Sequence, residues 1–176
     1  MKTIVYFVAL VSVGMLGIST GCKKKSEGNS QMTVKMVDAP GDFQQVNVEV
    51  LQVQVHHSGQ GWVNLPTNAG VYDLLTLQND VSTTLVNAGS LPSGHLEQFR
   101  LILGGENNVM IDSVYYPLAT PSAQQSGLKI NLNADFAPNT LYELVLDFDA
   151  ANSIVIQGNG AYSLKPVIKV LSINPI

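Results

Sequence analysis

Asp147-Phe148-Asp149 closes a strongly apolar segment. In an extended chain its two carboxylates share one face and Phe148 takes the other. Asp38 and Asp42 flank Ala39-Pro40-Gly41, a turn-forming stretch. Brought together in space, Asp38, Asp42, Asp147 and Asp149 would supply three or four carboxylates, the hard oxygen donors that Ca²⁺ takes together with carbonyl and water oxygens. The competing role is local: Asp38 and Asp149 each close a turn through their own backbone. No D-x-D-x-D-G loop is present, which favours the turn. Acids also cleave glycosidic bonds in pairs, but the spacing singles out no pair for that work.

Arg100 is the only arginine and stands mid-segment in Leu96-Glu97-Gln98-Phe99-Arg100-Leu101-Ile102-Leu103. A charge in so apolar a stretch needs a partner if it is buried, and Asp147, on another long apolar segment, is the expected one in a structural ion pair. His56-His57 ends a strand-like run, so the two rings point to opposite faces and do not share a metal. His95 lies in a Ser93-Gly94-His95 turn, and no H-E-x-x-H occurs. Gly17-Ile18-Ser19-Thr20-Gly21 matches G-x-S-x-G only as a string at the end of an apolar leader run, and Ser126-Gly127-Leu128-Lys129 matches S-x-x-K without the S-D-N and K-T-G companions of that site; no phosphate-binding glycine loop is present, and Gly104-Gly105 reads as a hairpin turn. Trp62, the single tryptophan, follows a Gly-rich turn, and Tyr115-Tyr116 sends one ring to each face of its strand. Exposed, Trp62 and Tyr116 would suit stacking on sugar rings; buried, they would be core.

The elements that carry these residues are strands. Period-two alternation recurs at Met32/Val34/Met36 and Val46/Val48/Val50, and Leu51/Val53/Val55 continues one residue out of phase. Such a slip requires a bulge or break near Val50-Leu51. Further strand-like segments are 61–65, 71–75, 96–103, 109–111, 114–118, 128–132, 141–149, 153–157 and 162–173, separated by Gly, Asn and Pro clusters. Asp80–Ala88 is the one helical candidate, with Val81, Leu85 and Ala88 on one side. Pro121–Gly127 reads as a loop. Many short β-branched strands at this spacing predict an all-β, antiparallel β-sandwich.

The chain has 176 residues, of which 12% are charged and 45% hydrophobic, with a net charge of −4. That balance excludes a disordered acidic tail and a nucleic-acid-binding arm. A single cysteine excludes an intrachain disulfide framework. Lys2 precedes an uncharged run from Ile4 to Ile18, a length that suits a signal-peptide core rather than a spanning helix. It leads into Ser19-Thr20-Gly21-Cys22. This resembles the lipobox of bacterial lipoproteins, with Ser19 where Leu is usual, and it implies lipidation of Cys22 after removal of residues 1–21. Residues 22–30, with three lysines, read as a flexible tether, and residues 31–176 as the sandwich domain. In that domain Lys35, Arg100, Lys129, Lys165 and Lys169 face twelve carboxylates, a net of −7.

Several segments occur together and in order: Val37-Asp38-Ala39-Pro40, Trp62, Asp73-Leu74-Leu75, Leu91 to Leu101, Pro117-Leu118, Ser126-Gly127-Leu128-Lys129, Leu146-Asp147-Phe148-Asp149-Ala150 and Leu164-Lys165-Pro166-Val167-Ile168. The series resembles the DUF4382 family of bacterial lipoproteins, often from Bacteroidetes. The resemblance implies an immunoglobulin- or transthyretin-like sandwich on a lipid anchor; it supplies no activity and no catalytic residues. The expectation is therefore a membrane-anchored envelope protein, of the outer membrane, acting without catalysis. Its domain would bind or adhere to a glycan, with Ca²⁺ as the candidate cofactor and no nucleic acid as partner. The alternative is an accessory subunit of an envelope protein assembly, and a carboxylate-based hydrolase comes third.

Overall fold

The computed structural model describes residues 28–39, 41–79 and 81–176. The signal run, Cys22 and the tether up to residue 27 lie outside the described residues. Within them the strands are β1 (Asn29–Val37), β2 (Gln45–His57), β3 (Gly61–Leu65), β4 (Gly70–Asp73), β5 (Thr83–Pro92), β6 (Gly94–Leu103), β7 (Asn108–Ile111), β8 (Val114–Ala119), β9 (Leu128–Phe136), β10 (Leu141–Phe148), β11 (Ile154–Ile156), β12 (Tyr162–Leu164) and β13 (Ile168–Pro175). A 3₁₀ turn spans Leu74–Leu77, and two short helices are α1 (Pro121–Gln125) and α2 (Ala150–Ser153).

Two sheets form, and both are open. The narrow one has the order β13-β10-β1-β5, and the wide one β11-β12-β8-β7-β2-β6-β9 with β3 and β4 also paired to β2. Alternation decides what each sheet buries. From the narrow sheet Met32, Val34, Met36, Leu144, Leu146 and Phe148 are fully buried; from the wide sheet so are Val46, Val48, Val50, Val53, Val55, Leu96, Phe99, Leu101 and Leu103. These side chains form one core. Each large apolar side chain taken from water contributes roughly 1.5–3 kcal/mol, so this stacking is what holds the two sheets face to face.

The slip foreseen at Val50-Leu51 is present: the β2–β6 register shifts between Val50 and Gln52. Leu51 is the extra residue and points to solvent at 46% exposure, while Val53 and Val55 resume the buried row. Three expectations are corrected. The sandwich is mixed, since β1 pairs parallel to β10 and β12 parallel to β8. Over the described residues 81–88 the helix read at 80–88 does not form; Thr83, Thr84 and Val86 lie in β5 instead, antiparallel to β1. Their β-branched side chains disfavour helix, and β1 needs a second partner along its length. Gly89 allows the close approach there, because a Cβ would sit 2.8 Å from Val86 Cγ1 and 2.9 Å from Pro66 Cδ. Lastly, residues 121–125 of the predicted loop coil into α1, which sets Ala123 into the core. β1 begins within the stretch read as tether, where Asn29 and Ser30 pair with Pro92 and Leu91.

Candidate functional site

The half of the wide sheet built from β3, β2, β6 and β9 turns one row of residues outward from each strand. Val53 and Val55 face the core, so Gln52, Gln54 and His56 face out. Leu65, Phe99 and Leu101 place Asn64 and Trp62, and Gln98 and Arg100, on that same outer face. In β9 the outward set is Lys129, Asn131 and Asn133. Register then aligns them across strands: Trp62 opposite His56, Arg100 opposite both Gln54 and Lys129, and Gln98 opposite Asn131.

Trp62 sits half-buried in this surface. The Arg100 guanidinium carbon lies 4.0 Å from the ring centroid and Lys129 Nζ lies 5.9 Å from it. The His56 ring meets its edge at 5.0 Å and 71°. Arg100 Nε donates to Gln54 Oε1 at 2.6 Å, and Gln54 Nε2 donates to Asn64 Oδ1 at 2.6 Å. The Gln54 amide is thereby oriented, and Gln98 Nε2 donates to Asn131 Oδ1 at 3.2 Å beside it. Gly127 at φ +70° tightens the entry to β9, where a Cβ would come 2.6 Å from Arg100 Cγ. The result is a flat aromatic ring among fixed amides and two cations. Rings and planar amides of this kind stack on and hydrogen-bond to a ligand that is apolar on one face and rich in hydroxyls at its edge.

The ion pair expected between Arg100 and Asp147 is absent. Arg100 projects from the wide sheet and Asp147 from the narrow one, and Arg100 is satisfied by Gln54 and by the Trp62 ring. Facing outward, it keeps access to water and needs no carboxylate. Tyr116 is 36% exposed on β8 and tilts against Tyr162 at 5.0 Å. It does not join Trp62: β8 reaches β2 through β7 at Gln45–Asn47, whereas β3 pairs with Val53–His57 at the other end.

The acids are partly brought together. Asp38 at the end of β1 accepts from Ala150 N through Oδ1 at 2.8 Å. Burial pushes its carboxyl up to about 6, and the Asp147 and Asp149 charges push the same way, against the Ala150 N–H and the Gln78 amide. Asp149 caps α2, taking Asn152 N at 3.0 Å and Asn152 Nδ2 at 2.8 Å, and those bonds hold its carboxyl below the usual range, with Lys169 adding to the effect. Asp38 Oδ2 and Asp147 Oδ1 are both buried without a donor. Asp42 lies elsewhere, in a recess with Phe43, Met110 and Asp112. The four-carboxylate calcium set is thus not assembled. Among the described residues no group of three or more His, Cys, Asp or Glu side chains is placed to hold a metal ion. Both Asp149 oxygens are spent on the cap, which is the turn-closing role weighed for it.

The two histidines of β2 divide as their alternation requires. His56 Nδ1 lies 2.8 Å from Glu97 Oε2 on the outer face. His57 Nδ1 accepts from Gly59 N, so its Nε2 carries the proton that bonds Ser93 O. Sequence reading found Trp62 but missed its polar company. The signal was present in the amides that alternate with buried residues in β2, β6 and β9, once the register between those strands is known. Among the described residues no helix is long and apolar enough to cross a membrane.

The family model described as "Domain of unknown function (DUF4382)" matches residues 29–166, nearly all of the described sandwich. No curated protein and no solved structure matches the chain.

Proposed function

Because the chain belongs to the DUF4382 family, a domain of unknown function, no activity comes to it by kinship, and we propose one from its surface: a non-enzymatic glycan-binding module. It is carried on a lipid anchor at Cys22 and displayed from the bacterial outer membrane. The observation that carries this reading is the Trp62 platform. A half-exposed indole, gripped by Arg100 and edged by Gln54, Asn64, Gln98 and Asn131, matches a sugar ring in shape and in hydrogen-bonding habit. The signal run, the small residues before Cys22 and the lysine-rich tether support the anchor. A hydrolytic role finds little footing. Asp38 is the acid whose proton is held to near-neutral pH, yet one of its oxygens is bonded to Ala150 N and the other is buried away from any substrate.

A second reading rests on a different surface. Val114, Tyr116 and Ile156 are 49%, 36% and 68% exposed at the β8–β12–β11 end of the wide sheet. β11 is an edge strand there, which suits docking of a protein partner in an envelope assembly.

A broad glycan panel, run with calcium and with EDTA, separates the two. The expected result is saturable binding to a restricted set of glycans, unchanged by EDTA and weakened roughly thirty-fold or more by Trp62→Ala, as for a buried aromatic anchor worth about 2 kcal/mol. A silent panel removes the glycan reading and leaves the protein-docking one. Binding that EDTA abolishes would restore a metal role that the carboxylate geometry does not provide.

A further inference from the structure

We propose that the glycan taken by this surface is acidic, its anionic group seated between Arg100 and Lys129 beside the Trp62 ring; the inference rests on the glycan-binding reading and names its ligand class. The observation behind it is a misplacement of charge. The segment 31–176 has five cations against twelve carboxylates, yet two of those five stand directly opposite one another in the β6–β9 register. Like charges facing across a strand pair repel, and an acidic domain has ample carboxylates to relieve them. None does: among the described residues no carboxylate lies within 4.0 Å of Arg100 or Lys129, whereas Lys35 is paired with Glu143 at 2.7 Å. Glu97, on the same outer face, is turned to His56.

Arg100 is also held ready. Its Nε is tied to Gln54, its plane lies over Trp62, and its Nη1 reaches Ser126 O at 3.4 Å. Among the described residues nothing accepts from the other terminal nitrogen, which is left to donate. An arginine fixed on three sides loses little freedom on binding and offers its remaining terminal donor to a carboxylate or a sulfate. Lys129 supplies a second positive charge at the next strand, and the oriented amides of Gln54, Gln98 and Asn131 meet the hydroxyls of the same chain. Neutral sugars would use the ring and the amides but leave the paired cations uncompensated.

The test uses the full chain in detergent with polygalacturonate, its fully methyl-esterified form and dextran sulfate, plus a single-stranded DNA oligonucleotide. The methyl ester keeps the sugar and removes the charge. The expected result is that polygalacturonate or dextran sulfate binds at least ten-fold more tightly than the ester. That preference should shrink as ionic strength rises from about 0.05 to about 0.5 M. Lys129→Gln and Arg100→Gln should each reduce it. Lys129 is exposed on an edge strand, so its variant keeps the test valid even if Arg100→Gln folds poorly. Equal binding of ester and acid overturns the inference and spares the glycan reading. Equal binding of the DNA overturns it in favour of a general polyanion surface. If neither acidic polymer binds, the inference falls, and the glycan panel alone decides whether the broader reading falls with it.

Discussion

Phe148→Ala lowers the unfolding free energy by about 3–5 kcal/mol, seen as a drop in the urea midpoint at an unchanged slope. Phe148 is fully buried at the end of β10 and is among the largest side chains of the core. Its register partner Ile168 holds β13 to the same edge. Removing the ring forfeits its transfer from water and leaves a cavity between two sheets that cannot close on it, because the ladders on either side fix their spacing. A domain of this size has only about 5–15 kcal/mol in total, so the variant sits near the folding threshold. Leu171→Ala is the matched control: at 56% exposure it should change stability by no more than about 0.5 kcal/mol. Similar losses from both variants would mean that the narrow sheet does not bury the face assigned to it.

The second large effect is a loss of stability as pH rises from about 4 to about 6, opposite in sign to ordinary acid denaturation. Asp38 has a carboxyl raised from 3.8 to about 6 in the folded chain, chiefly by burial and then by the neighbouring Asp147 and Asp149 charges. A carboxyl raised in this way favours the folded state while it is protonated. Its contribution is complete below 3.8 and is lost as pH climbs through about 6. At about 1.4 kcal/mol per pH unit, the loss is on the order of 2–3 kcal/mol. Asp149 acts in reverse: held below 3.8 by Asn152, it stabilises above that value and its contribution disappears as pH falls further. The two place this region's best stability near pH 4. Asp38→Asn should flatten the slope between pH 4 and 6, because the carboxamide never ionises. Chemical denaturation of both proteins at about pH 4.5 and pH 7.5 gives the answer. A wild-type protein more stable at the higher pH, or an unaltered slope in the variant, contradicts the assignment.

Most of the sandwich was legible because burial writes itself as alternation. Val46/Val48/Val50 and then Val53/Val55 gave away both the inward face of β2 and its bulge, since a one-residue slip is the only way to keep both rows inside. What local pattern does not carry is partnership. β1 lies parallel to β10, more than a hundred residues away, and nothing in either segment specifies the direction of that pairing. The same gap misassigned Arg100. Its expected partner Asp147 stands on the other sheet, while Gln54, its true partner, becomes a neighbour only through the β2–β6 register. Residues 80–88 were misread because Val81 and Leu85 mimic a helical face, while Thr83, Thr84 and Val86 serve β1 as a strand. The acids were half legible. Asp38 does come within electrostatic range of Asp147 and Asp149, but Asp42 does not, and the α2 cap that occupies Asp149 is a local contact that sequence spacing did permit.

The platform at Trp62 is the centre of this account, and the chain carries its own probe for it, since Trp62 is the only tryptophan. The most direct measurement is Trp62 fluorescence during titration with the saccharides that bind in the panel. If the sugar stacks at this surface, the emission changes saturably with the same midpoint as binding, and Tyr116→Ala leaves that midpoint where it was. Full binding with a silent Trp62, lost instead on Tyr116→Ala, would put the ligand at the far end of the wide sheet and contradict the account.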